Sequence, residues 1–218
     1  MKPTLLRDVL LRYAATPLRT RLHVYGRLRS VPVEPILAAL PRAGHIAAIG
    51  CGHGALEIAA CLDSSERRFS AGDIDAAKLA HLSAAAAGLP LRVIAGDVLV
   101  QAEEPFDAVL IVDVLYLLPP EAQLQVLRAA FAALRSGGSI VIKEMDTRPR
   151  TKALWNRMQE FLALRVFRIT AHQAGTCGLR PSAEQLADLA AAGFVLGHAE
   201  PLHGGWLHPH LLLTARKP

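Results

Sequence analysis

The sequence predicts a doubly wound α/β protein whose mostly parallel sheet closes with an antiparallel strand, and three features lead to it. From Gly44 onward short apolar runs alternate with helical stretches, the pattern of strand–helix–strand units with right-handed crossovers. The run PFDAVLIVDVLYLL is apolar almost throughout, as a strand covered on both faces should be. The last two runs are joined only by Pro201-Leu202-His203-Gly204-Gly205, a link that favours an antiparallel hairpin at the sheet edge.

In chain order, Leu5 to Leu11 reads as a short amphipathic helix, followed by a stretch punctuated by proline and arginine up to Pro41. Residues 1–41 are assigned to an N-terminal helical cap, and 42–218 to the main domain with a helical insertion at about 147–178. HIAAIG is the first strand, and the glycines of GCGHG open the helix ALEIAACL. RRFSAGD is the second strand, with AAKLAHLSAAAA as its helix and Gly88-Leu89-Pro90 as the stop. LRVIAGD is the third strand and PFDAVLIVDVLYLL the fourth. A helix from Glu121 to Leu134, ended by Gly137-Gly138, leads to SIVIKEM as the fifth. The helical stretch TKALWNRMQEFLALRVFRI precedes the helix PSAEQLADLAAA, the strand from Phe194 to about Glu200, and WLHPHLLLTARK as the final strand.

Length and composition fit one globular domain, since 218 residues with 52% hydrophobic and 20% charged side chains bury a large core and exclude disorder. The net charge of +5 points to anionic partners. An aromatic content of only 5%, with no appended RNA-binding module, argues against nucleic acid. Cys51, Cys61 and Cys177 are odd in number and form no C-x-x-C pair, which makes a disulfide framework improbable and a reducing cytoplasm the expected location. No run reaches the roughly 20 apolar residues of a membrane span.

Ligands of open α/β sheets bind beyond the carboxyl ends of the strands, where strand order reverses. The first strand ends there in Gly50-Cys51-Gly52-His53-Gly54. Such a turn lets a ligand approach the backbone and aims free N–H groups at it. About 20 residues later comes Gly72-Asp73-Ile74-Asp75, at the spacing where an acid accepts from ribose hydroxyls in dinucleotide folds. Asp73 is the candidate for that role and Asp75 for the cap of the next helix. The third strand ends in Gly96-Asp97-Val98, where a carboxylate could accept from an adenine amino group, and the fourth ends near Asp113.

Taken together, IGCGHG, GDID, AGDV, FDAVLIVDVLYLLP and LRSGGSIVIKE resemble, in order and spacing, the class I S-adenosylmethionine-dependent methyltransferases. The resemblance covers about Gly44 to Met145 and extends to the helix from Glu184 to Phe194 with its AAGF ending. It implies a Rossmann-like methyltransferase fold with a seven-stranded sheet and S-adenosyl-L-methionine as cofactor. It also implies a binding set of Gly50, Gly52 and Gly54 with Cys51 and His53 between them at the methionine part. Asp73 with Ile74 would lie at the ribose, Asp97 and Val98 about adenine, and Asp113 near the methionine amino end. A narrower similarity is to small bacterial enzymes of lipid, quinone and polyene-pigment pathways. The sequence departs from the family at Ala48, where an acid usually stands two residues before the first glycine.

Methyl transfer from a sulfonium relies mainly on positioning, with a base where the acceptor is a hydroxyl or carbon. Tyr116, Asp146 and His172 are the candidates by position. A metal is not expected, because His203, His208 and His210 lack the helical spacing of a zinc motif. Both segments outside the shared core are rich in arginine, and Leu154, Trp155, Met158 and Phe161 mark an apolar helix face in the second. An apolar pocket under a basic surface would suit a small-molecule, lipid-like or carrier-bound aromatic substrate, an acyl carrier protein as its bearer, or peripheral contact with a membrane. The alternatives are a non-catalytic methyltransferase-like binding protein and an NAD-type oxidoreductase. The latter would prefer G-x-G-x-x-G, whereas Gly54 comes one residue early.

Overall fold

The computed structural model describes residues 1–145, 180–202 and 209–218. Its strands are β1 (Gly44–Ile49), β2 (Arg67–Asp73), β3 (Leu91–Ala95), β4 (Phe106–Val112), β5 (Leu134–Met145), β6 (Val195–Leu202) and β7 (His210–Arg216). They form one seven-stranded sheet in the order β3-β2-β1-β4-β5-β7-β6. Pairs from β3 to β5 are parallel, while β7 runs antiparallel to both β5 and β6. The final hairpin therefore supplies the edge, as the short link between its strands predicted.

Alternation along each strand divides the core. Ile46, Ala48, Leu110, Val141 and Leu212 face one layer, and Ala47, Val109, Ile111, Ile140 and Leu213 the other. Helices α1 (Pro3–Arg12), α2 (Leu18–Ser30), α3 (Val33–Ala39), α4 (Ala55–Asp63) and α5 (Ala76–Ala85) contribute to the first layer. Helices α6 (Pro120–Ala133) and α7 (Ser182–Ala191) contribute to the second. With both faces covered, the ends of the sheet are where a ligand can meet the strands.

Three regions add to or differ from the sequence reading. Within the stretch up to Pro41, which the sequence reading assigned to a helical cap without placing its helices, residues 18–30 and 33–39 are helical; in α2 Thr20, Val24 and Leu28 recur every fourth residue and bury one stripe between solvated arginines. β4 stops at Val112 because Asp113 takes φ +57° and turns the chain out of the ladder into a single 3₁₀ turn at Leu115–Leu117. β5 starts at Leu134 and runs through Gly137 and Gly138, which the sequence reading had used as the helix stop. Its register against β4 shifts between Phe106 and Ala108 to absorb the extra residues.

The end of the sheet away from the glycine turn is tied by Arg67, which is fully buried at the start of β2. Its Nε donates to Pro41 O (2.8 Å) and its Nη2 to Leu37 O (2.9 Å). Its Nη1 reaches Ala60 O (3.2 Å) and Asp63 Oδ2 (2.9 Å). One guanidinium thus satisfies Leu37 O in the last turn of α3 and Pro41 O beyond it, and adds a second donor to Ala60 O, which already accepts from Ser64 N–H. Arg67→Met is expected to destabilise the protein by about 3–5 kcal/mol, read as a lowered Tm and urea midpoint, because it orphans Leu37 O and Pro41 O and removes the buried partner of Asp63.

Candidate active site

Strand order reverses between β1 and β4, and the turn after β1 lies in the crevice this opens. Gly54 begins α4 at φ +68°, and a Cβ there would lie 2.2 Å from Leu82 Cδ1, so α5 packs against the turn only because this residue has no side chain. The ends of β2 and β3 meet equally closely, since a Cβ on Gly72 would come within 2.8 Å of Gly96 O and 2.9 Å of Val98 Cβ.

Asp73, at the end of β2, accepts from Gly52 N–H through Oδ2 (2.7 Å) and from Asp75 N–H through Oδ1 (2.9 Å). Each oxygen keeps a second lone pair for a further donor. Ile74 beside it is 95% exposed, a large apolar side chain presented over the strand ends, while Val98 below is buried. Asp75 accepts from Ala77 and Lys78 N–H and caps α5, as the sequence reading expected. Asp97 is exposed and accepts from Leu99 N–H (2.8 Å), closing its own loop.

The N-terminal helices wall the turn. Tyr13, at the end of α1, donates through its hydroxyl to His53 O (2.5 Å). The His53 ring lies edge-on to His23 of α2 (5.1 Å between centroids) and stacks on His81 of α5 (5.5 Å). Burial first, then the like charges of His23, His81 and Lys78, push His53 down to about 4, so the ring is neutral at pH 7. Burial likewise raises the Cys51 thiol, which packs inside the turn as an unreactive group.

At the end of β4, Asp113 lies between two cations: Lys143 Nζ on β5 (2.5 Å from Oδ1) and Arg27 Nη1 on α2 (2.5 Å from Oδ2). Burial opposes ionisation of this carboxyl, but Lys143 and Arg27 together hold it below its ordinary range. Next to Lys143, Glu144 accepts from Val114 N–H (3.1 Å) and Leu115 N–H (2.8 Å) through Oε1. Its Oε2 is buried without a hydrogen-bond partner among the described residues. Tyr116, in the 3₁₀ turn, is half-buried and lines a narrow cleft with Glu144, Gln123, Arg180 and Gln185. Asp146 and His172 lie outside the described residues, as do His203, His208 and Cys177. Among the described residues no cluster of metal-ligating side chains occurs.

Sequence reasoning missed the partners Arg27, Lys143 and Glu144, and it missed Glu57. Glu57 projects from an apolar helix, ALEIAACL, whose pattern suggested no buried charge, yet it is 4% exposed. Burial pushes its carboxyl from 4.5 up to about 7, against the pull of its own backbone N–H and of Arg27. A carboxyl raised in the fold binds its proton more tightly there than in the unfolded chain. Its penalty therefore grows from about pH 4.5 to about pH 7 and persists above. Glu57→Gln should leave Tm little changed near pH 5 and raise it near pH 8, measured by thermal melts at both values.

Comparisons with known proteins agree with this geometry. Residues 46–138 match a family model described as a methyltransferase domain. No curated protein matches the sequence. Among solved structures, the pyocyanin biosynthetic protein PhzM is 18% identical with a TM-score of 0.71, over 95% of this chain and 60% of that one. An O-methyltransferase family 2 protein from Planctomyces limnophilus in complex with apigenin is 18% identical with a TM-score of 0.69, over 96% and 65%. Magnesium protoporphyrin IX methyltransferase from Synechocystis with bound S-adenosylhomocysteine is 15% identical with a TM-score of 0.66, over 99% and 95%. The chain thus spans about 60% of the length of PhzM and nearly all of the Synechocystis protein. Over residues 46–138 the chain resembles a methyltransferase domain, and its fold is shared with these solved structures.

Proposed function

We propose that this protein transfers the methyl group of S-adenosylmethionine to a small-molecule acceptor, lipid-like or aromatic, free or carried on an acyl carrier protein. The observation that carries the reading is the carboxylate of Asp73 tied to the glycine turn at the reversal of strand order. Its remaining lone pairs and the exposed Ile74 beside it fit a ribose and a flat base. A Cβ on Gly52 would meet nothing nearer than Lys78 Cδ at 3.9 Å, which leaves the backbone open to close approach. At the other end of the crevice, Asp113 suits an ammonium, and the guanidinium of Arg27 can turn from Asp113 to a carboxylate. These residues fit the two charged groups of the methionine part.

When bound, the cofactor supplies an electrophilic methyl on a sulfonium that leaves as a neutral thioether. What remains for the protein is orientation of the acceptor and exclusion of water. Tyr116 is the candidate side chain near the acceptor, since it lines the cleft beyond β4 and β5. In support of an aromatic acceptor, structural neighbours include a complex with apigenin and an enzyme named for magnesium protoporphyrin IX. The arginines of the N-terminal segment suit an anionic acceptor or an acidic carrier.

Methyl-labelled S-adenosylmethionine incubated with aromatic acceptors, free and tethered to acyl carrier protein, tests the reading. Transfer of label to at least one is expected, and a folded protein that transfers none would refute it. S-adenosylhomocysteine should bind, and Asp73→Ala should weaken it by about 1.5–3 kcal/mol, roughly ten- to hundredfold by calorimetric titration. Ala48 is buried, and its ladder partners are Ala71 and Leu110. Ala48→Asp should therefore lower Tm by burying a carboxylate in an apolar layer, at a cost of about 2 kcal/mol or more, without tightening S-adenosylhomocysteine in the same titration.

A further inference from the structure

Helix α2 carries apolar side chains on an exposed face as well as on its buried one. Thr20, Val24 and Leu28 bury one side against the core. Leu18 (66% exposed), Leu22 (61%) and Tyr25 (47%) fall on the other, and Leu11 at the end of α1 is also 58% exposed. At roughly 100° per residue, positions 18, 22, 25 and 29 form one narrow stripe about 130° around the helix from the line of Thr20, Val24 and Leu28. Scattered exposed leucines need no explanation, but an apolar stripe along the outer face of a helix does.

The charge around that stripe has one sign. From Val9 to Val33 the chain carries five arginines and no aspartate or glutamate. Arg27 is engaged with Asp113, and Arg12 reaches Ala87 O. Arg19, Arg21 and Arg29 are exposed and pair with no carboxylate among the described residues. Arg29 lies in the stripe itself, and Arg19 and Arg21 flank it on either side. An apolar face edged by unpaired guanidinium groups matches the interface of a bilayer, where leucine and tyrosine enter the acyl boundary while arginine stems let their charges reach phosphates. No described helix is long and apolar enough to cross a membrane, so contact of this kind would be peripheral.

We infer that the outer face of α2 docks on an anionic lipid surface. The same helix places His23 against the glycine turn and Arg27 on Asp113, so docking would hold the crevice close to the bilayer, where an acceptor soluble in lipid is concentrated. The docking itself requires no methyl transfer, and it is tested without cofactor or acceptor.

The full chain is sedimented with vesicles of phosphatidylglycerol and phosphatidylcholine, and with vesicles of phosphatidylcholine alone. Partition onto the anionic vesicles is expected, falling with salt and roughly tenfold or more weaker on phosphatidylcholine. The pair Leu18→Ser and Leu22→Ser should reduce partition at every salt concentration. The set Arg19→Gln, Arg21→Gln and Arg29→Gln should reduce it about fivefold per charge at low salt. All five positions are exposed, so the circular dichroism melts should match wild type, and the arginine set keeps the test open if the serine pair unfolds. Absence of wild-type partition, or equal partition by wild type and the folded variants, would overturn the inference. So would a dimer seen by light scattering that the serine pair dissolves, because the stripe would then belong to a second copy of the chain.

Discussion

Asp113 ends the central strand as a carboxylate buried between two cations, and much of the crevice is arranged around the cost of keeping it there. A buried acid without partners would take up a proton or loosen the fold. Lys143 comes from the next strand and Arg27 from a helix eighty-six positions earlier in the chain. The pair of contacts therefore joins sheet to cover at the one place where the crevice opens. Asp113 also sits at φ +57°, a backbone state that costs a non-glycine residue about 1–2 kcal/mol. That conformation turns Val114 and Leu115 so that their N–H groups meet Glu144. The ion triad, the turn and the buried glutamate form one unit, in which a change at any member is felt by the others.

The central strands were legible because a sheet covered on both faces writes itself as short apolar runs, as in β1 and β4, whereas the LRSGG start of β5 carries no such run and was read as the end of a helix. The glycine turn and the Asp75 cap were legible for a related reason, since each is a local device whose residues are consecutive or nearly so. The pairing of Asp113 with Lys143 and Arg27 was not, because nothing in a sequence links residues so far apart until the sheet register is known. Glu57 was hidden differently. Its neighbours gave a correct helix, but a helix pattern does not say that one charged residue faces inward. α2 was hidden by its own surface, since a helix with exposed leucines and buried threonine has a blurred period.

Ala48 shows how far a family pattern carries. No acid stands at position 48, but the structure buries a carboxyl at Glu57 in the first turns of α4, and its charge helps raise the Cys51 thiol and the Tyr13 hydroxyl. The packing around Ala48, with an alanine and a leucine in register on either side, leaves a carboxylate there with apolar neighbours on the ladder.

The two ends of the sheet have been settled on different terms. At the amino end Arg67 fills carbonyl acceptors of α3 and α4 and buries no unmatched charge. At the carboxyl end polar groups stay unsatisfied among the described residues: His53 Nδ1 in the turn, Glu144 Oε2 near the end of β5, and Gln185 Oε1 across the same cleft. Each costs stability that an apolar side chain would not. Such groups persist where binding needs them, because a site already closed on itself offers nothing to a ligand. The rigid amino end can carry that cost because a cooperative domain draws its stability from the whole sheet rather than from each end separately. The crevice can therefore stay polar and strained while the fold that holds it remains intact.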